Sequence, residues 1–192
     1  MRLFVAFDLS DAQRSEAERA ASVMQRRLDA VKASRAVRWA SSPQIHLTLR
    51  FIGEVDDALG ARVVDALAPP LPVSAFSLSL GRPGVFPGPG RPRVIWIGLA
   101  EGSDGAAASH DAVEARLQTL GLEPEVRPFR AHVTLGRVRE IRPPQAAALR
   151  EAMDRLRIDP APATVTHATL YRSHLSPKGA RYEPLVRTML AG

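Results

Sequence analysis

The chain has 192 residues, 45% of them apolar, enough to bury one substantial core and too many for a disordered chain. It carries no cysteine, which excludes disulfides, thiolate metal sites and a cysteine nucleophile, and which fits a reducing cytoplasm. The formal net charge is +6, and lysine occurs only at Lys32 and Lys178, so nearly all of the 26 basic side chains are arginine, whose planar donor fork suits phosphate. An anionic partner such as nucleic acid is expected from this balance, against the plainer alternative of a solvated basic surface. Met1 to Asp8 reaches an acid too soon for a secretion signal, and no apolar run approaches the roughly 18 residues of a membrane helix.

Leu3, Val5 and Phe7 alternate with Phe4, Ala6 and Asp8, and two mostly apolar faces predict a central strand. Ser10-Asp11 reads as a helix start, with the helix running to about Lys32. Val37 to Ala40 reads as a short strand, Ser41-Ser42-Pro43 as a turn, and Gln44 to Ile52 as a strand ended by Gly53. A second helix is expected over Asp56–Leu67, closed by Pro69-Pro70. Ala75–Leu80 is a predicted strand, and Gly81–Pro92, rich in Pro and Gly, a predicted loop. Arg93–Leu99 (strand), Ser103–Leu120 (helix, ended by Gly121), Phe129–Val138 (strand) and a helix from Pro143-Pro144 to about Leu156 follow. Thr164–Ser173 and Tyr182–Met189 read as strands joined by a Ser-Pro-Lys-Gly turn. Strand, helix, strand, strand, helix comes round twice in rough form and nothing resembles a linker. The expectation is one α+β domain over 1–192, bilobal and duplicated.

One internal echo carries chemistry. Ile45-His46-Leu47-Thr48-Leu49-Arg50 recurs as Ala131-His132-Val133-Thr134-Leu135-Gly136-Arg137, close to half a chain away. In each copy a His and a Thr sit two apart in an apolar frame, so strand alternation puts both on one face. A single His-x-Thr is an ordinary polar strand face; two matched copies, each trailed by an arginine, call for a shared purpose. Histidine exchanges a proton near neutrality. Two imidazoles flanking one phosphorus can divide an in-line displacement, one accepting from the attacking water and one donating to the leaving oxygen. Threonine hydroxyls and arginine can then stabilise the non-bridging oxygens. A serine nucleophile lacks its Gly-x-Ser-x-Gly elbow, zinc lacks paired histidines at helical spacing, and phosphate-loop and dinucleotide fingerprints are absent.

Arg130 shares the face of His132 by alternation and is a candidate phosphate ligand. Arg50 and Arg137 are candidate substrate contacts, Arg137 only if Gly136 permits a kink or bulge. Tyr171 and Arg181 are further cleft candidates, with a sheet-core role equally open for Tyr171, and Phe86 could stack a base or anchor a loop. His110 reads as a surface residue. His167 and His174 fall on opposite strand faces and read as structural, with His174 the better candidate of the two.

The chain resembles the bacterial and archaeal RNA 2′,3′-cyclic phosphodiesterases, long labelled 2′–5′ RNA ligases, of the two-histidine phosphoesterase superfamily. The resemblance runs from Met1–Asp8 through His46–Glu54, Phe86-Pro87, Pro92–Gly98 and Pro128–Arg137 to Leu170–Ser173 and Gly179–Leu185. It implies a bilobal α+β fold with helices outside and a cleft between two antiparallel sheets. It implies hydrolysis of RNA 2′,3′-cyclic phosphate ends to 2′-phosphomonoesters without metal or cofactor, and reversible 2′–5′ joining of RNA ends such as tRNA halves. It implies His46 as proton donor, His132 as acceptor, and Thr48 and Thr134 on the phosphate oxygens; the near-symmetric motifs alone leave the two histidine roles open. Ala131 stands where the family often has proline. A cytoplasmic monomer is expected. A non-catalytic RNA- or nucleotide-binding module is the contrasting reading, motivated by charge alone.

Overall fold

A computed structural model describes residues 1–176 and 179–192. Among them, four α-helices and nine strands follow the order β1 (Arg2–Asp8), α1 (Asp11–Ala30), β2 (Val37–Trp39), β3 (His46–Glu54), α2 (Asp57–Leu67), β4 (Phe76–Phe86), β5 (Val94–Glu101), α3 (Ser103–Gln118), β6 (Val133–Val138), α4 (Pro143–Arg155), β7 (Ala163–Val165), β8 (His167–Ser176) and β9 (Gly179–Met189). The turn expected at Ser176–Gly179 runs through Pro177 and Lys178, which lie outside the described residues.

The strands join in one sheet of order β7-β4-β5-β6-β3-β1-β8-β9, with β2 added to β6. This corrects the expectation of two separate sheets. β7 and β8 stand near opposite ends of that order, yet Thr166 alone separates them in the chain. The sheet must therefore curl until its two edges nearly meet, a half-barrel with a covered outer face and a hollow inner one. Thr166 also explains why the expected single strand Thr164–Ser173 is two: the chain changes pairing partner there, from β4 to β1 and β9.

The outer face carries the core. Leu3, Val5 and Phe7 of β1, Leu47 and Leu49 of β3, Ile95 and Ile97 of β5 and Val133 and Leu135 of β6 pack into one cluster with Ala20, Met24 and Leu28 of α1, Val63 and Leu67 of α2, Val113 and Leu117 of α3 and Leu149 and Met153 of α4. Phe4 and Ala6 are equally buried but stand outside that cluster, on the hollow side. Local chemistry fixes the helix starts. Ser10 and Gln13 form a reciprocal capping box on α1, and the buried Gln13 amide reaches on to the Leu78 carbonyl at 2.9 Å, tying α1 to β4. Asp56 caps α2 through the Leu59 N–H at 2.7 Å.

The Pro/Gly segment is not a loop from its start. β4 continues to Phe86, irregular in register between Leu80 and Pro83. Gly84 faces Trp96 across the β4–β5 ladder, and a Cβ there would lie 2.2 Å from the indole. Glycine is what lets the Trp96 ring lie flat on the strand.

Candidate active site

β3 and β6 meet at one antiparallel pair, Leu47 opposite Val133. That register sets His46 across from Thr134 and Thr48 across from His132. Leu47 and Val133 are fully buried on the helix side, so all four polar side chains face the hollow. The two histidines are thus diagonal neighbours, a relation that spaces residues by about 7–8 Å and their Cβ atoms somewhat less. That gap fits one tetrahedral phosphate between two imidazoles.

Each ring is oriented from behind and walled by aromatics. The Arg130 carbonyl accepts from His132 Nδ1 at 2.6 Å, and the Gln44 backbone, likewise two residues upstream, bears on His46. Committing Nδ1–H to that carbonyl leaves the His132 Nε2 free toward the hollow. His46 stacks on Phe4 at 5.0 Å and meets Tyr182 edge-on at 5.4 Å. His132 meets Phe86 edge-on at 5.2 Å and Trp96 at 6.3 Å. This burial pushes the His46 imidazole down to about 4, against the opposing pull of Asp8 and the Gln44 backbone. His132 is lowered too, again by burial, opposed only by the Arg130 carbonyl. Burial thus favours the neutral form of both rings in the empty site.

The two arginines that trail the motifs part company. Both strands carry the same bulge. β1 pairs Ala6 with Thr48 and Val5 with Arg50, skipping Leu49; β5 pairs Trp96 with Thr134 and Ile95 with Gly136, skipping Leu135. Each skip reverses the alternation. Arg50 therefore joins Val5 on the helix side, where its guanidinium pairs with Glu114 of α3, lies 3.8 Å from Glu125 and donates to the Phe51 and Glu123 carbonyls. Its expected substrate contact is corrected: a helix-facing ion pair occupies it. Phe51 takes the inner face, half exposed, 5.8 Å from Phe4. Arg137 reaches the inner face as the conditional reading required, pairing with Val94 beside Trp96 and bearing on the Tyr182 hydroxyl.

The remaining candidates divide similarly. Arg130 is exposed and has no hydrogen-bonded partner for its side chain among the described residues; its carbonyl holds His132. Phe86 belongs to β4 and packs on Trp96 and His132. The Tyr171 hydroxyl donates to Asp8, and burial with that carboxylate raises it to about 12. Arg181 bears on Glu183 and pairs across the β8–β9 ladder with His174, which bonds Glu183 at 2.6 Å. Of the two late histidines it is His167, alternating with Thr169 and Tyr171, that shares the inner face. His110 is no free surface residue: its Nδ1 bonds the carbonyl of the bulged Leu49 at 2.9 Å and its ring stacks on Phe129 at 4.4 Å.

A model of the 2′-5′ RNA ligase superfamily matches residues 15–177. The chain belongs to that superfamily. It is 33% identical to an RNA 2′,3′-cyclic phosphodiesterase of Archaeoglobus fulgidus over 96% of this chain and 98% of that protein. Among solved structures, TT0787 of Thermus thermophilus superposes with a TM-score of 0.78 at 25% identity, covering 99% of this chain and 98% of that one. E. coli LigT complexed with 3′-AMP gives 0.66 at 26% identity, covering 100% and 98%.

Against this superfamily background, the sequence reading passed over Asp8, Phe4, Trp96, Tyr182 and Phe51. A signal existed for the first two. β1 is apolar on both faces, which means its second face is also covered, and Asp8 is the polar end of that second face. Trp96 and Tyr182 become site residues only through strand pairing. Among the described residues no group of three His, Asp or Glu is placed to hold a metal, and no helix is long and apolar enough to cross a membrane.

Proposed function

We propose that the chain hydrolyses RNA 2′,3′-cyclic phosphate ends to 2′-phosphomonoesters, through His46 and His132 and without metal. The carrying observation is the antiparallel crossing at Leu47 and Val133, which gives two imidazoles a diagonal, phosphate-sized separation. His132 takes the proton from water as it attacks phosphorus; His46 gives its proton to the departing 3′ oxygen. Thr48 and Thr134 donate to the non-bridging oxygens, and Arg137, with Arg130 at the rim, adds positive charge where negative charge gathers. A donor whose proton is held weakly in the empty site gains it when the anionic phosphodiester enters, because the phosphate stabilises the imidazolium. The relatives' names and the arginine-rich composition support an RNA substrate. The paired motifs support reading the fold as a duplicated, bilobal single domain, and that one chain supplies both motifs supports its acting as a monomer.

The test is hydrolysis of a 2′,3′-cyclic-phosphate oligonucleotide in EDTA by wild type, His46→Ala and His132→Ala, with 2′- and 3′-phosphate products resolved. The expected result is 2′-phosphate alone, and a loss of roughly 10²–10⁴ in each variant. An inactive wild type, or full activity in both variants, sinks the reading. The superfamily's name favours one second reading, joining of RNA ends such as tRNA halves in 2′–5′ linkage. It uses the same site with a 5′-hydroxyl in place of water, and comparing joining with hydrolysis on cleaved tRNA separates the two.

A further inference from the structure

Asp8 ends β1 directly across from His46, and the mechanism above makes no use of it. Its carboxylate is braced from β8 at both oxygens: Oδ2 accepts from the Thr169 hydroxyl at 3.0 Å and Oδ1 from the Tyr171 hydroxyl. Thr169 is buried, and the Tyr171 ring stacks at 5.3 Å on Phe4, the residue on which His46 itself stacks. His167 Nε2 lies 3.9 Å from Oδ2. In a chain this rich in arginine, no arginine or lysine forms an ion pair with Asp8 among the described residues. The other charged or titratable groups around this wall are His46 on β3, Tyr182 and Arg187 on β9, Arg2 on β1 and Arg137 on β6. The opposite histidine has no counterpart. His132 is surrounded by Phe86, Trp96 and the Arg130 carbonyl, and among the described residues no carboxylate bears on it.

We infer that Asp8, held by Thr169 and Tyr171, is the positioning residue that breaks the symmetry of the two motifs and makes His46 the proton-holding partner. Burial outweighs this charge in the empty site; once the anionic phosphate fills the hollow, the fixed carboxylate adds to His46, and not to His132, a further stabilisation of the protonated form. The side of the phosphorus facing His46 is then the side from which the leaving oxygen departs with a proton, and water attacks from the His132 side. This rests on the proposed phosphodiesterase reading and deepens it by deriving the direction of proton flow from the structure.

A leaving group that needs no proton isolates this role. In a 2′,3′-cyclic phosphorothiolate with sulfur bridging at the 3′ position, water still adds to phosphorus and loses a proton to the base. The P–S bond then breaks and the sulfur leaves as a thiolate, with no acid required. On the ordinary oxygen substrate, Asp8→Asn is expected to lower kcat roughly tenfold with KM within about twofold. Thr169→Val and Tyr171→Phe, each removing one brace, are expected to lose less. On the thio substrate, His46→Ala and all three of these variants are expected to recover to near the wild-type rate, and His132→Ala to stay impaired. Histidine NMR is expected to show the His46 titration moving down in Asp8→Asn with that of His132 unmoved. Equal impairment of Asp8→Asn on both substrates, an unimpaired Asp8→Asn on oxygen, or rescue of His132→Ala in place of His46→Ala each overturns the inference. If Asp8→Asn does not fold, the same thio-rescue criterion applied to Thr169→Val and Tyr171→Phe decides. Failure of the underlying function looks different: wild type inactive on both substrates, or His46→Ala and His132→Ala fully active on oxygen.

Discussion

The two His-x-Thr segments share a backbone and differ in what it delivers. Each puts a histidine and a threonine on the inner face, skips one leucine in a bulge, and so turns the fifth residue after the histidine inward. In the first segment that residue is Phe51; in the second it is Arg137. The residue before it faces outward. There the first segment has Arg50, with Glu114 and Glu125 of the outer side to meet it, and the second has Gly136, where a Cβ would lie 2.8 Å from Val37. Both arginines trail their motifs, but Arg50 stands four residues after its histidine and Arg137 five. By position and by backbone alike, Arg137 corresponds to Phe51. One half of the site therefore offers an aromatic surface and the other a cation.

Exchanging function for stability at the two arginines is the sharpest way to break this comparison. Arg50→Met leaves Glu114 buried without its partner and should cost about 3 kcal/mol of stability. Its activity per folded molecule should stay near wild type. Adding Glu114→Met should recover most of the melting temperature, since a well-packed apolar pair replaces the ion pair. Arg137→Ala should do the reverse. It should leave the melting temperature nearly unchanged and lower kcat/KM by roughly 30-fold, equivalent to about 2 kcal/mol for a charged hydrogen bond. Arg50 behaving as Arg137 does would undo the backbone alignment. Phe51→Ala should raise KM for a cyclic-phosphate oligonucleotide roughly fivefold, about 1 kcal/mol of lost stacking, and leave a cyclic mononucleotide less affected. The smallest effect concerns pH. Burial holds His46 at about 4 and lowers His132, so the unfolded chain binds these protons more tightly than the folded one. Stability should therefore fall as pH drops from about 6.5 toward 4, and His46→Ala should flatten that part of the melting profile.

How much of this was legible follows from which signals are local. The start of α1 was readable in Ser10, because a cap is made by neighbours in sequence. The shared face of His46 and Thr48 was readable in the two-residue period, and both hold. The fate of Arg50 was not, because Leu49 carries no mark of a bulge; the extra residue is absorbed by pairing with β1, which is remote in sequence. For Arg137 the adjacent glycine gave a reason to allow an irregularity, and the skip falls one residue earlier, at Leu135. β4 was cut short because Gly81, Pro83 and Gly84 read as breakers, whereas the strand tolerates them through an irregular register and a tryptophan lying over Gly84. His110 read as exposed because its helix is rich in alanine; its ring instead bonds the carbonyl of the bulged Leu49, which belongs to a strand remote in sequence. Tyr182 and Trp96 could not be assigned to a site until β9 and β5 had neighbours, whereas Asp8 was marked by the doubly apolar strand that it ends.

The single rung between Leu47 and Val133 also acts as a ruler with few graduations. Sliding one strand by a residue would turn its histidine into the core. Sliding by two would set the rings directly opposite, about 5 Å apart at Cβ with no room for a tetrahedral group, or spread them to about 14 Å. No intermediate setting exists, so the backbone spacing between the two proton-transferring residues is quantised by the peptide repeat.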